Sequence, residues 1–64
     1  MKFDDYTDIT TDELGYKFIK SNVMISDTQG YCLMCGKPSH YIEVNAEAYF
    51  CSDECEDAFY WMAG

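Results

Sequence analysis

Two stretches decide how this chain folds: Tyr31-Cys32-Leu33-Met34-Cys35-Gly36-Lys37-Pro38 and Tyr49-Phe50-Cys51-Ser52-Asp53-Glu54-Cys55. The cysteines are spaced C-x2-C, then fifteen residues, then C-x3-C. Zinc prefers four soft ligands in a tetrahedron, and two close pairs joined by a hairpin supply them with little backbone strain. The first pair has the form of a zinc knuckle, a tight turn that aims two thiolates at one point. Gly36 supplies the backbone conformation that turn needs. Cys51 ends an expected strand and Cys55 falls in the first turn of an expected helix, where the peptide dipole favours thiolate. The pattern predicts one zinc ion per chain, held by Cys32, Cys35, Cys51 and Cys55.

Working outward, His40-Tyr41-Ile42-Glu43-Val44 and Ala48-Tyr49-Phe50-Cys51 read as the strands of a hairpin with Asn45-Ala46-Glu47 as its loop. A final helix follows, with Ser52 as its N-cap and with Asp53, Glu54, Glu56 and Asp57 complementing the positive end of the helix dipole. Cys55, Ala58, Phe59 and Met62 form its expected buried stripe. Ahead of the cysteines the signals are weaker. Residues 1–9 read as a loosely ordered arm. Thr10-Thr11-Asp12-Glu13 matches a capping box and predicts a helix to about Lys20, with Leu14 and Phe18 on one face and Gly15 weakening it. Val23-Met24-Ile25 reads as a short strand, and Ser26 to Gly30 as a polar turn. With no linker or repeat in view, residues 1–64 are expected to form a single domain: arm 1–9, helix and connection 10–30, metal module 31–64.

Size and charge narrow the function. A chain of 64 residues buries too small a share of its surface for its core alone to hold it comfortably, so a staple is expected. The opening residues carry no apolar run behind a basic segment, and no stretch nears the ~20 apolar residues of a membrane span. The expectation is a cytoplasmic protein without membrane contact, where thiols bind metal rather than form disulfides. Twelve acidic residues against four lysines give a formal charge of −8, and a loaded four-thiolate site takes this to about −10. Such a surface repels phosphates, so direct nucleic-acid binding is not expected.

The run Tyr49-Phe50-Cys51-Ser52-x-x-Cys55-x-x-x-Phe59 resembles the FCS signature of YHS, TRASH and MYM-type zinc fingers. With the C-x2-C-G-K start from Cys32 to Lys37 it also resembles the short zinc-containing gyrase inhibitors of the YacG type. The resemblance covers Tyr31 to about Trp61. It implies a small α+β treble clef, made of a zinc knuckle, a β-hairpin and a C-terminal helix, with the four cysteines as ligands. The N-terminal helix would then be an addition to that fold.

Other chemistries fit less well. His40 follows Cys35 at the third-ligand spacing of a C-x2-C-x4-H-x4-C knuckle, but Asn45 stands where the fourth ligand belongs. Gly36-Lys37-Pro38 after Cys35 bars the helix that a thioredoxin-like thiol requires. Rubredoxin-like iron electron transfer is an alternative, although its second pair is C-x-x-C rather than C-x3-C. No catalytic residues are identified, and the chain reads as a non-enzyme. The expected function is a zinc-binding regulatory or adaptor protein that binds another protein, with inhibition of a housekeeping or host enzyme as one form of that role. The alternative is an acidic mimic of nucleic acid that occupies a basic site. Eleven aromatic residues are too many to bury, and Tyr60 and Trp61 fall off the predicted buried stripe. They are the expected surface for a partner or a homodimer.

Overall fold

The computed structural model describes residues 1–63. It is a small α+β fold whose five strands form one antiparallel sheet in sequential order: β1 (Thr10–Thr11), β2 (Lys17–Lys20), β3 (Val23–Tyr31), β4 (Pro38–Glu43) and β5 (Ala48–Tyr49). One helix, α1 (Asp53–Ala63), follows the sheet. Phe3, Ile19, Val23, Cys32 and Phe50 make the buried core, and Tyr41, Cys55 and Phe59 pack against it. The core therefore adjoins the cysteine cluster.

The expected N-terminal helix over residues 10–20 does not form. Its place is taken by the hairpin β1–β2, in which Thr10 pairs with Phe18 and Thr11 with Lys17. Asp12 holds the turn of this hairpin. Its carboxylate accepts the backbone N–H groups of Leu14 (3.0 Å) and Tyr16 (2.8 Å), folding the chain into a turn instead of capping a helix. Gly15 closes that turn at φ +89°, a left-handed conformation that glycine adopts without steric cost. Leu14 rides on the turn and is 81% exposed, so it packs over nothing. The only helical feature near the start is a single 3-10 turn at Phe3–Asp5.

The opening residues also depart from the expected loose arm. Phe3 is fully buried, and its backbone N–H donates to the Cys51 carbonyl at 3.0 Å. Lys2 pairs with Ser52 in an antiparallel bridge, and the Asp53 N–H donates to the Met1 carbonyl at 3.0 Å. Met1 to Phe3 is thus a strap laid along the segment that leads into α1.

β3 is longer than expected because the polar run Ser26 to Gly30 stays extended. The pairing with β4 passes from Ile25↔Tyr41 to Gly30↔Ser39, so the intervening β3 residues bulge out of the ladder. Tyr49 closes this bulge. Its hydroxyl donates to the Thr28 carbonyl (3.2 Å) and lies 3.1 Å from Ser26 Oγ, while its ring sits against Gly30 where a Cβ would be. The β4–β5 hairpin forms as expected, with slightly different limits. Glu43, fully buried, accepts the N–H groups of Asn45 (2.6 Å) and Ala46 (3.2 Å) in its loop.

α1 begins as the sequence indicates, with Ser52 Oγ accepting the Cys55 N–H at 3.3 Å. Its buried face differs from the expected stripe at one end. Met62 is 75% exposed, whereas Glu56 is only 4% exposed. Glu56 faces Lys20 and Asn22 of the β2–β3 region, and Asp53 accepts from the Lys20 ammonium at 2.6 Å. The expected dipole role of this acidic turn is therefore joined by a second one, tying α1 to the sheet. Burial alone would lower the Lys20 pKa, but its hydrogen bonds to Asp53 and Glu56 outweigh that and hold it well above its ordinary value.

Candidate metal centre

Local bonding shapes the first cysteine pair into a knuckle. The Cys32 N–H donates to the Lys37 carbonyl and the Gly36 N–H to the Cys32 carbonyl, both at 2.8 Å, while Gly36 takes φ +77°. The turn role read for Gly36 in the sequence is the one it fills. The Leu33 N–H donates to the Tyr49 carbonyl at 2.9 Å, which docks the knuckle onto the end of β5. β5 delivers Cys51, and the first turn of α1 delivers Cys55.

The four cysteine sulfurs converge, all lying within 4.8 Å of one another. Cys35 and Cys51 are 3.3 Å apart and Cys51 and Cys55 3.7 Å apart, with no disulfide among them. A regular tetrahedron with metal–sulfur bonds of about 2.3 Å has edges of about 3.8 Å. The cluster can therefore hold a metal ion at its centre with little movement. His40 stands outside it, exposed on β4.

The cluster's thiols do not ionise equally. Burial opposes ionisation of Cys32, yet the N–H groups of Cys35 and Met34 aimed at its sulfur prevail and lower its pKa to about 6. Burial and the neighbouring Cys35 thiol push Cys51 up to about 12, and burial raises Cys55 as well. The first negative charge thus settles at Cys32 and opposes the rest. A divalent ion held by the four sulfurs would reverse that opposition, because each further thiolate would then face a positive charge.

The two residues expected at a partner surface behave differently from each other. Trp61 is 86% exposed. Tyr60 is only half exposed, and its hydroxyl donates to the buried Glu43 carboxylate, joining α1 to the β4–β5 loop. Sequence reasoning missed the N-terminal strap against Cys51 and Ser52. Its one signal was Phe3, a large apolar residue beside acidic neighbours. Among the described residues no helix is long and apolar enough to cross a membrane. No protein-family model, curated protein or solved structure matches the chain, so the converged cysteines are the ground for any reading of its function.

Proposed function

We propose that this protein is a zinc-stabilised binding protein, a regulator or adaptor that acts by docking on another protein and not by catalysis. The observation that carries the reading is the convergence of four cysteine sulfurs within 4.8 Å at the meeting point of a knuckle, a hairpin and a helix. That order of elements is what a treble clef of the FCS type requires. The donor set is all sulfur, which favours zinc among the abundant divalent ions. Cys32, Cys35, Cys51 and Cys55 would hold the ion, closing its coordination and leaving no open position for a substrate.

Trp61 on the far part of α1 is the proposed anchor for the partner, with the exposed Met62 beside it. A large, rigid indole supplies much of the contact area a small interface needs. Glu54 and Asp57 lie on the same side of the helix, at i−7 and i−4 from Trp61, so a partner with basic side chains around an apolar pocket fits best. Tyr60 is a weaker contributor than Trp61, since its hydroxyl is already engaged by Glu43.

The test replaces Trp61 with a photo-crosslinking phenylalanine derivative in the source cell and identifies adducts by mass spectrometry, alongside sedimentation of the purified protein. One dominant partner, or a homodimer, whose association is lost in Trp61→Ala while zinc content and melting are retained, is the expected result. Association unchanged in Trp61→Ala contradicts the assignment.

A further inference from the structure

The four sulfurs are not equivalent toward solvent. Cys32 is buried, Cys51 and Cys55 are half-buried, and Cys35 is exposed at the outer side of the knuckle. A cavity of about 540 Å³ opens beside it, bordered by Lys37, Pro38, Cys51, Ser52 and Cys55. A small solute can therefore reach Cys35 without any movement of the fold. Across the cluster, the Cys35 sulfur meets that of Cys51 at 3.3 Å. These two come from different pairs, one on the knuckle turn and one in the segment between β5 and α1.

We propose that Cys35 and Cys51 form an oxidation site through which peroxides release the metal, a property that rests on the zinc-binding reading above. A metal-bound thiolate remains a nucleophile, and reactivity follows thiolate character and exposure. The Cys35 thiolate attacks one oxygen of hydrogen peroxide, the O–O bond breaks, and hydroxide leaves and takes a proton to become water. Cys35 is then a sulfenic acid. The Cys51 thiolate attacks that sulfur, the S–O bond breaks, and the second hydroxide leaves and is protonated in turn. The two thiolates give up two electrons and the peroxide accepts them. Each pair then keeps only one thiolate, Cys32 or Cys55, and two ligands do not hold zinc in a structural site. Oxidation at the exposed sulfur thus reaches the whole fold, since the ion it expels is the one that holds knuckle and helix together.

The experiment treats the zinc-loaded protein with hydrogen peroxide in the presence of a chromophoric chelator and maps the disulfide by mass spectrometry. Cleavage at Met34 and after Glu43, Glu47 and Glu54 puts every cysteine in a separate fragment. The expected result is zinc release in step with a Cys35–Cys51 disulfide, both reversed by dithiothreitol and added zinc. Zinc retained under peroxide, or a first disulfide within either close pair, overturns the proposal. Cys35→His keeps a zinc ligand without the attacking sulfur and should release zinc at least about tenfold more slowly. If that variant does not load zinc, the wild-type disulfide map decides alone. Metal-free protein is mapped in parallel: a chain that binds no zinc refutes the metal reading, whereas one that binds zinc but links another pair refutes only this site.

Discussion

Replacing Phe3 with alanine should weaken zinc binding, although Phe3 supplies no ligand to the proposed site. Its ring is fully buried and meets Tyr6 and Tyr41 edge-on at 5.8 Å, with the Lys20 ammonium 5.3 Å from its centroid. A buried aromatic removes about 150–250 Å² from water. At ~25 cal/mol per Å² this is worth about 4–6 kcal/mol, and buried Phe→Ala replacements cost about 3–5 kcal/mol. A value near 4 kcal/mol is a large part of the roughly 3–10 kcal/mol that a domain of this size possesses. Where the metal-free chain is unfolded, binding free energy and folding free energy are one quantity. The loss then reads out as about a thousandfold lower zinc affinity, at ~1.4 kcal/mol per decade. Competition against a chromophoric chelator measures it, with Lys2→Ala, an exposed position on the same strap, as the control expected to change little. Zinc affinity of Phe3→Ala within about threefold of wild type would refute the reasoning, because the strap would then be packed on the site without supporting it.

Gly30→Ala should destabilise the zinc-loaded protein by about 1–3 kcal/mol in chemical denaturation, since the new methyl meets the Tyr49 ring; an unchanged midpoint would show that the ring moves aside freely. His40→Ala should leave zinc content and the thiolate charge-transfer bands of the cobalt-substituted protein as they are, because the imidazole lies outside the sulfur cluster. Lys20→Met should cost about 2 kcal/mol in thermal melts, an intermediate figure because Glu56 is buried while Lys20 and Asp53 are each about one-quarter exposed. The Lys20 pKa is raised above its ordinary 10.5 in the fold, so its contribution is complete below that value and is lost only as pH rises through the folded-state value. The melting difference between Lys20→Met and wild type should accordingly be constant from about pH 7 to pH 10; a difference that shrinks within that window contradicts the ion-pair account.

The metal half of the molecule was legible in the sequence because its signals are local. A C-x2-C turn closed by glycine, a hairpin between the pairs and a serine cap before an acidic helical turn each depend on residues a few positions apart. The N-terminal half failed for the opposite reason. Thr10 and Glu13 carry the same letters in a capping box as in a strand followed by an Asp12–Gly15 turn, and pairing with β3 decides between them. Gly15 within a proposed helix, followed by the aromatic and β-branched run Tyr16-Lys17-Phe18-Ile19, was the cue that favoured a hairpin. Met62 was misplaced because helical periodicity says which side a residue is on but not how far along the helix the packing continues. The burial of Phe3 and the pairing of Glu56 with Lys20 are contacts between distant parts of the chain, for which one sequence holds no periodic signal.

The proposed zinc site joins Cys32, Cys35, Cys51 and Cys55 around a single ion. X-ray absorption at the zinc edge of the purified protein, with elemental analysis of the same sample, tests it most directly. About one zinc per chain, with four sulfur neighbours at about 2.3 Å and no nitrogen or oxygen bound to it, is the expected result. A shell containing nitrogen or oxygen, iron in place of zinc, or protein that folds cooperatively without metal would contradict it.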